Sequence, residues 1–583
     1  VESMTSMGEL PPPSWLPIRV GNHLVMRTTE RLVGVDFVTG KRVWEYPWFK
    51  TNDTIESSEV ELNAMPDEDA GQSLLNQRVW NDLPYGRISS DGVRVYVLGD
   101  LAQVEVATLS PLMGLQGTRP AQTGANSLVA LDLSTEGKLV WQIGGDQPET
   151  ENLSGAFFLG APLPVDDALY VLAEMSGDIL LICLDAATGA ERWRQQLLAV
   201  ESGSIDLDPV RRVAGASATY QNGMLICSTG AGAIVAVDVD DRALVWGVSV
   251  ERNDAINQSG MGRREGLIPG QLMKRWWDST PMVSGTTVFV TPIETDRLFA
   301  FDLLTGEKRW KEFARAQMGS RYMAGIHNGS IVLVGGDNVR GVDAKTGKTT
   351  WKTRGGWLDS GEQLSGLGMF GMMTNPATSE PEPAYFVPTT SSRIIAVSLN
   401  DGSALAHRET AFPTGNLIAV DGQIISQAAT LLSVAYGQVS LEPKVAAALE
   451  LNPENVEMMI RKAQLLMEQQ RRGEALKWLD KARQRDSDNF EVQKLSINAM
   501  LGALREDFAS NANLLGELDK LIDQPADRAE LIKLQIRAAI DRNQPVEAVN
   551  RLIDLSALVA LEPSLSSQSS ASESESSRYV SLD

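Results

Sequence analysis

Short alternating apolar segments, separated by turn residues, dominate most of the chain. In the stretch 298–310, residues 299–302 alternate apolar and small side chains, Thr305-Gly306 supplies a tight turn, and residues 308–310 begin a return strand. Gly306 can adopt the positive φ that such a turn requires, and the side chain of Asp302 can bond the backbone N–H groups of the turn. The pattern predicts two antiparallel strands joined by a tight turn.

This hairpin recurs seven times with the spacing small-x-Asp-x-x-Thr-Gly-x-x-x-Trp. The copies that keep the aspartate, the glycine and the tryptophan are Asp36, Gly40 and Trp44; Asp132, Gly137 and Trp141; Asp185, Gly189 and Trp193; Asp302, Gly306 and Trp310; and Asp343, Gly347 and Trp351. Another copy keeps Asp238 and Trp246 but has Asp241-Arg242 at its turn. The last copy keeps Asp401-Gly402 and ends on Ala406.

Each copy follows a further β-type segment, such as 169–173, 224–228, 288–291 or 331–334. One repeat therefore holds about four strands, which is the size of a propeller blade. A single blade has two apolar faces, so blades must stack around an axis to cover them. We expect the small residue to let the next sheet approach and the tryptophan to fill the space between blades. These are structural roles, and no repeat residue is predicted to be catalytic.

A final β pair, 416–420 and 423–426, follows the seventh copy. It fits the first half of an eighth blade completed by chain upstream of Val1, or a pair that closes a seven-bladed ring. We favour eight blades, because the pair has no other evident role.

From about Leu441 the apolar period changes from two residues to 3.6. The stretch 456–483 resembles a tetratricopeptide repeat, with Gly473 at the bend between its helices and a buried set expected at Ala463, Leu466, Ala475, Leu479 and Ala482. Looser units follow at 490–522 and 529–555. The sequence thus predicts a linker at 1–15, a propeller at 16–430, an all-α tetratricopeptide-like domain at 440–560 and a disordered serine-rich tail at 563–583.

Composition limits the possible partners. The formal net charge of −23 argues against nonspecific binding to nucleic acid, which needs a basic surface. The sequence has no run of roughly 18 apolar residues that could span a bilayer. The two cysteines, Cys183 and Cys227, fall in strand segments of consecutive repeats and are either buried thiols or a disulfide between neighbouring blades.

The AxDxxTGxxxW signature resembles the quinoprotein-type (PQQ-like) β-propeller repeat over about residues 16–427. That repeat occurs in pyrroloquinoline quinone-dependent alcohol dehydrogenases and in the non-enzymatic BamB-type outer-membrane assembly lipoproteins. The resemblance implies the propeller architecture and an extracytoplasmic bacterial location, in the periplasm or cell envelope. It does not decide the activity, because one repeat serves both enzymes and scaffolds.

The same resemblance defines what an enzyme of this type would need: a bound Ca²⁺, an aspartate base, a tryptophan floor under the quinone and, in the alcohol-oxidising group, a disulfide between adjacent cysteines. Here the cysteines are 44 positions apart, and no set of Glu, Asn and Asp ligands matches the family pattern. We therefore expect no catalytic residue, no metal site and no cofactor. PQQ with Ca²⁺, held where acidic and amide side chains would converge at the propeller axis, is the alternative.

Long connections follow the tryptophan-bearing strands, at 47–85, 101–127, 144–159, 199–214, 253–280 and 354–382. In a propeller they emerge on one face, which we expect to bind partners. The candidate partner-binding residues are Arg263, Arg264, Arg275, Trp276, Trp277 and Trp357. Exposed arginine beside tryptophan is typical of binding hot spots, although paired tryptophans before a strand equally fill gaps between blades.

The motif G-x-G-x-x-G also occurs, at residues 366–371, but it follows a polar stretch and opens no helix. We interpret it as a mobile glycine-rich loop. The sequence as a whole predicts a non-enzymatic scaffold that binds proteins through the loop face of the propeller and the groove of the helical array. The competing hypothesis is a PQQ- and Ca²⁺-dependent oxidoreductase.

Overall fold

The computed structural model describes residues 13–28, 31–37, 40–46, 82–99, 124–145, 153–200, 205, 208–252, 275–375, 378–410, 412–420, 423–429, 431–436, 438–469, 471–486, 489–522 and 524–561. The chain divides into two compact units near residue 434, and each is described by itself. The predicted tail at 563–583 and residues 1–12 of the predicted linker lie outside the described residues.

The first unit is an eight-bladed β-propeller, which confirms the predicted fold. In each sheet the strands follow chain order and pair antiparallel with their neighbours. Blade 1 comprises β1 (Ile18–Val20), β2 (His23–Arg27), β3 (Leu32–Asp36) and β4 (Arg42–Tyr46). Blade 2 comprises β5 (Ser89–Ser90), β6 (Arg94–Gly99), β7 (Ser127–Asp132) and β8 (Lys138–Gly144). Blade 3 comprises β10 (Leu163–Val165), β11 (Ala168–Met175), β12 (Asp178–Asp185) and β13 (Glu191–Ala199), with the extra strand β9 (Phe157–Phe158) paired to β11.

The remaining blades repeat this plan. Blade 4 comprises β14 (Thr219–Gln221), β15 (Met224–Ser228), β16 (Ala233–Asp238) and β17 (Ala243–Ser249). Blade 5 comprises β18 (Met282–Ser284), β19 (Thr287–Val290), β20 (Arg297–Asp302) and β21 (Phe313–Ala314). Blade 6 comprises β22 (Ser320–His327), β23 (Ser330–Gly335), β24 (Val339–Asp343) and β25 (Thr349–Lys352). Blade 7 comprises β26 (Met369–Thr374), β27 (Pro381–Pro388), β28 (Arg393–Ser398) and β29 (Ala404–Glu409), and blade 8 comprises β30 (Asn416–Val420), β31 (Gln423–Gln427) and β32 (Leu432–Tyr436).

In the described part of the chain, three short helices lie between propeller strands, and the second unit is mainly helical. The short helices are α1 (Leu83–Gly86), α2 (Pro209–Arg212) and α3 (Arg315–Met318). The second unit comprises α4 (Gln438–Leu451), α5 (Val456–Glu468), α6 (Arg472–Arg485), α7 (Phe490–Glu506), a 3₁₀ turn (Ala512–Leu514), α8 (Leu515–Leu521), α9 (Pro525–Asp541) and α10 (Pro545–Leu561).

Within each sheet, the repeat tryptophan lies opposite the small residue two positions before the aspartate. Trp44 pairs with Gly34, and a Cβ atom added to Gly34 would overlap the indole ring. The equivalent pairs are Trp141 with Ala130, Trp193 with Cys183, Trp246 with Ala236 and Trp351 with Gly341. The small residue therefore makes room for the tryptophan of its own blade. It also packs in one apolar cluster with the next sheet, as Ala130 does with residues of blade 3.

The same tryptophan covers the turn glycine of the following blade. A Cβ atom added to Gly306, whose φ is +71°, would lie 2.7 Å from the ring of Trp246. The Trp246 indole N–H also donates to the carbonyl oxygen of Leu303 in that next blade, at 2.9 Å. The other contacts of this kind join Trp44 to Gly137, Trp141 to Gly189, Trp310 to Gly347 and Trp351 to Gly402. At these five joins, one tryptophan ring packs on one turn glycine of the next blade.

The turn of blade 4, which Trp193 of blade 3 would contact in the same way, has no glycine. Arg242 occupies the glycine position there and adopts a φ of +54°. Trp193 is half-buried and packs against Tyr170 of its own blade, with 5.9 Å between the ring centroids. The interface between blades 3 and 4 therefore lacks the ring-on-glycine contact.

The repeat aspartates close their own turns. Asp185 Oδ1 accepts the backbone N–H groups of Ala187 and Thr188 at 3.1 and 2.9 Å. Hydrogen bonds from Arg192 and Thr188 lower the pKa of Asp185 to about 2, so the carboxylate stays charged in acid. Backbone N–H groups of the same turn also bond to Asp132, Asp238, Asp302 and Asp343. At Asp36 the backbone carbonyl accepts the N–H of Gly40 at 2.8 Å.

The ring closes between blades 8 and 1 through amide side chains. Buried Asn416 donates from Nδ2 to the carbonyl oxygens of Pro13, at 2.8 Å, and Trp15, while its Oδ1 accepts the N–H of Leu367 at 2.8 Å. Buried Gln427 donates to the carbonyl oxygen of Arg27 at 3.1 Å. The described residues supply three strands of blade 8, so the final β pair of the sequence analysis is extended by β32.

Blade 5 departs from the predicted hairpin. Lys308 makes only an isolated bridge with Phe301, and the fourth strand, β21, begins at Phe313. Trp310 therefore precedes the strand, where its ring stacks on Phe313 with 4.8 Å between centroids. The prediction that residues 308–310 begin the return strand is wrong in its bounds, because the chain is irregular after the turn.

The helical unit is built from stacked pairs. Helix α5 packs on α6 and α9 on α10, and the residues expected in its first core, Ala463, Leu466, Ala475, Leu479 and Ala482, all lie in one buried cluster. Asn455 caps α5 by accepting the N–H of Met458 at 3.1 Å. Gly473 lies inside the first turn of α6, so its predicted place at the bend is wrong, and the bend falls at residues 469–471.

The ring-on-glycine contact can be tested at Gly306. We expect Gly306→Ala to lower the free energy of unfolding by about 1–3 kcal/mol more than Gly285→Ala, because only the first new methyl group overlaps a tryptophan. Gly285 is the matched control: its φ is +59° and a Cβ there would meet nothing within 4 Å. Urea unfolding followed by tryptophan fluorescence provides the measurement. Equal losses for both variants would contradict the contact.

Acid unfolding should depend on Asp185. Its pKa is lowered on folding from the usual 3.8 to about 2, so its contribution is complete above about pH 4 and disappears as the pH falls toward 2. We expect the stability difference between wild type and Asp185→Asn to shrink over that window. Urea titrations at a series of pH values measure it. A difference that stays constant between pH 5 and 2 would show that the carboxylate charge contributes nothing.

Candidate partner-binding surfaces

One face of the propeller carries the connections between blades. Strand direction alternates within a blade, so the chain leaving a fourth strand and the turn between second and third strands share a face, here called the connection face. Several buried charged side chains lie there, which is costly unless they are paired. Of the predicted connections, residues 47–81, 101–123, 146–152, 201–204, 206–207, 253–274 and 376–377 lie outside the described residues. The predicted connection at 101–127 stands between β6 and β7, the second and third strands of blade 2, so our prediction that it follows a tryptophan-bearing strand is wrong.

A buried ionic network joins blades 3, 4 and 5 on the connection face. Fully buried Arg211, in α2, donates from Nε to Glu174 at 2.7 Å and from Nη1 to Asp208 at 2.8 Å. Asp208 also accepts a bond from Arg252 at 2.5 Å, and it caps α2 through the N–H of Arg211 at 3.1 Å. In blade 5, buried Glu294 accepts the N–H of Gly232, of blade 4, at 3.0 Å.

Burial and neighbouring charges shift the pKa values of these groups in opposite directions. Burial by itself would raise the pKa of Asp208, but the charges of Arg252 and Arg211 and their hydrogen bonds bring it below its usual value. Burial raises the pKa of Glu294 and lowers that of Arg275 to about 10. The network is a rigid support for the connections rather than an open reactive site. Asp208, the carboxylate with the most hydrogen bonds, stays ionised and paired.

The predicted arginine–tryptophan patch is divided between interior and surface. Trp276 is 1% exposed and packs with Phe289 and Met318, and Arg275 is also buried. Trp277 and Trp357 are half-buried and pack against a second core cluster.

Trp357 is held by its indole N–H, which donates to the carbonyl oxygen of Asp337 at 2.9 Å. Arg263 and Arg264 lie outside the described residues. Trp276 therefore has the packing role that the sequence analysis offered as the alternative, and partner binding by the patch stays a prediction.

Helix α1 is a feature that the sequence analysis missed. It lies in the connection before blade 2, all four of its residues are buried, and Asp82 Oδ1 caps it by accepting the N–H of Tyr85 at 3.0 Å. The tyrosine hydroxyl donates to the carbonyl oxygen of Thr28, in blade 1, at 2.7 Å. Beyond the helix, Arg87 forms an ion pair with Asp278, just before blade 5. The sequence does carry a signal for this helix, since an aspartate two residues before Pro84 is typical of a helix start.

The G-x-G-x-x-G segment is not a mobile loop. Residues 369–371 belong to strand β26, and a Cβ atom on Gly366 or Gly368 would overlap the backbone of Gly415 or Phe386. The hydroxyl of Tyr322 also accepts the N–H of Gly368 at 3.3 Å. Gly366 permits the close approach of the chain that enters blade 8, and Gly368 permits that of the neighbouring strand of blade 7. The loop interpretation is therefore wrong.

The helical unit exposes an apolar surface on its last helix. Val546, Val549 and Ile553 are 74%, 55% and 59% exposed, and Leu552 is also exposed. These four residues define the α10 face. The spacing of three and four residues places Val546, Val549 and Ile553 on one stripe of the helix. A contiguous exposed apolar surface of this kind often marks an interaction site.

Within the described ranges, no three His, Cys, Asp or Glu side chains come together as a metal-binding group. Cys183 and Cys227 are both buried free thiols, and burial raises the pKa of Cys227 to about 12, which leaves it protonated. None of the helices in the described part of the chain combines the length and apolar character needed to span a membrane. These findings leave the quinone and Ca²⁺ alternative as a hypothesis.

Two family models match the chain. The model described as outer membrane protein assembly factor BamB matches residues 124–262 and 230–441, which together cover more than half of the 583 residues. A tetratricopeptide repeat model matches residues 443–496. A comparison with curated protein sequences found no match.

Solved structures that resemble this chain include a BamB protein, a designed protein and an alcohol dehydrogenase. BamB from Moraxella catarrhalis is 14% identical, with a TM-score of 0.40 over 72% of this chain and 96% of its own. The computationally designed protein Ika8 is 9% identical, with a TM-score of 0.38 over 73% and 98% of the two chains. Quinohemoprotein alcohol dehydrogenase from Comamonas testosteroni is 14% identical, with a TM-score of 0.39 over 74% and 72%. At this identity and score, the likeness bears on neither activity nor partner.

The buried network can be tested at Arg211. We expect Arg211→Met to lower the free energy of unfolding by about 3–5 kcal/mol, because it leaves Glu174 and Asp208 buried with less compensation. Arg309→Met is the matched control, since it breaks the solvent-exposed pair with Asp302 and should cost about 0–1 kcal/mol. Urea unfolding of both variants gives the comparison. A loss at Arg211 no larger than that at Arg309 would show that the network is not a structural base.

Proposed function

Because the chain belongs to the family of the outer membrane protein assembly factor BamB, we propose that it is a non-enzymatic protein–protein interaction scaffold of a bacterial cell envelope. The family supports the envelope location. The propeller and the tetratricopeptide-type helices would present separate surfaces to partners. The observation that supports the proposal most directly is the exposed α10 face.

The α10 face is the surface on which a further helix would stack. Inside the array, α7 and α9 pack through buried side chains that include Met500, Leu504, Leu531 and Leu534. The final pair, α9 and α10, presents apolar side chains outward on α10. Repeats of this type cannot bury such a face alone and cover it with the next element.

The chemistry of this face specifies the partner. A stripe with residues at i, i+3 and i+7 accepts an amphipathic helix, whose own apolar stripe it would remove from water. We therefore expect the helical unit to bind a helix of another protein. Burial of several branched side chains is favourable by about 25 cal/mol for each Å² of apolar area.

Charged substitutions on the α10 face should abolish this interaction. Immobilised full chain would capture partners from an envelope extract, and the captured protein, once identified and purified, would be titrated against variants. We expect Val549→Asp/Ile553→Asp to weaken the dissociation constant at least about tenfold, because a buried unpaired carboxylate costs more than 1.4 kcal/mol.

The matched control carries the same charges elsewhere: Leu244→Asp/Val245→Asp alters two residues on blade 4 that are 48% and 45% exposed. Its affinity should equal that of wild type. Equal affinity for all three proteins would contradict binding by the α10 face. The scaffold proposal as a whole would fail if calorimetric titration with pyrroloquinoline quinone and Ca²⁺ gave saturable one-to-one binding at micromolar affinity or better.

A further inference from the structure

We infer that residues Leu83–Arg87 act as an axial strap. This segment of the chain crosses the propeller axis and closes the mouth of the axis on the connection face. In a ring of eight blades, blades 1 and 5 stand opposite each other. A segment that touches both must pass across the centre. The strap meets this condition at two points, Tyr85-Gly86 in its middle and Arg87 at its end.

The middle of the strap is fixed to blade 1. The hydroxyl of Tyr85 donates to the carbonyl oxygen of Thr28 at 2.7 Å, and the guanidinium group of Arg27 lies 4.4 Å from the centre of the tyrosine ring. A Cβ atom on Gly86 would overlap Ser14, which leads into blade 1. The middle of the strap is therefore in close contact with the first blade.

The end of the strap is fixed to the chain that enters blade 5. Arg87 forms the ion pair with Asp278, and its guanidinium group lies 5.1 Å from the ring centre of Trp277. Side-chain exposures of 21% and 22% place the pair in a partly desolvated setting, where an ion pair is stronger than on the open surface. Five residues thus connect opposite sides of the ring.

The first residue of the strap, Leu83, rests on the chain that enters blade 4. A Cβ atom on Gly215, just before that blade, would lie 2.5 Å from the Cβ atom of Leu83. Leu83 and Tyr85 are both buried, and Pro84 together with the Asp82 cap makes the turn rigid. The strap is a packed part of the interior.

This arrangement bears on the quinone alternative. An axial quinone site needs an open funnel, and the strap fills the space between blades 1, 4 and 5 with apolar and paired side chains. The residues at the mouth of the axis therefore do not fit a bound quinone. The strap stands independently of the proposed function, because a scaffold could have either an open or a closed axis.

Zero-length cross-linking tests the crossing directly in the full chain. In the Arg87→Lys variant, carbodiimide should couple the new amine to the carboxylate of Asp278, and mass spectrometry of the digested protein should find that linked peptide. The control variant Arg87→Lys/Asp278→Asn should lose it by at least about tenfold. A folded Arg87→Lys protein without the link, or an equal yield in the control, would overturn the strap.

Hydrogen exchange provides a second measurement that needs no variant. The N–H groups of Gly86 and Arg87 donate to the carbonyl oxygens of Asp82 and Leu83, both at 3.0 Å. In wild type we expect these two amides to exchange at least about 100-fold more slowly than unprotected amides. Exchange at the unprotected rate would show that the axis is open, and it would leave the scaffold proposal unaffected.

Discussion

The contact between one tryptophan ring and the turn glycine of the next blade is the constraint on which the propeller depends. It requires a small residue opposite the ring, as at Gly34, and a glycine with positive φ under it, as at Gly306. It also requires an aspartate that holds the turn closed, as at Asp302. Each requirement corresponds to one fixed position of the repeat, which is why the spacing between them is so regular.

Where this contact is missing, other physical interactions hold the ring. Arg242 replaces the glycine between blades 3 and 4, and the buried network around Arg211 ties those blades together on the connection face. Gly40 has no atom within 4 Å of an added Cβ, so no tryptophan covers it from blade 8. There the bonds of Asn416 and Gln427 join the two ends of the ring. Hydrogen bonds thus take over where packing is absent.

The fold could be predicted from the sequence because its signals are local and repeated. Trp246 and Gly306 each stand at a fixed distance from an aspartate, and seven copies reveal the period. The contact of the small residue with the tryptophan of its own blade was not predicted, because spacing alone does not say which neighbour a side chain faces. Arg87 and Asp278 are 191 positions apart and belong to no repeat, so nothing in the pattern relates them. The burial of the arginine–tryptophan patch also could not be predicted from the repeat pattern, because the patch belongs to no repeat. Trp276 and Trp277 are adjacent in sequence, yet only Trp276 is fully buried.

The direction of the ring-on-glycine contact has a consequence for how such a chain evolves. At the five joins that have this contact, one blade supplies the ring and the next supplies the glycine, so these interfaces are head-to-tail and alike. A whole repeat can be duplicated or deleted without creating a new kind of surface, whereas a partial repeat leaves a ring without its glycine. The number of blades can therefore change only by whole blades. After such a change, the ring must still close through contacts between the last and first blades, such as those of Asn416.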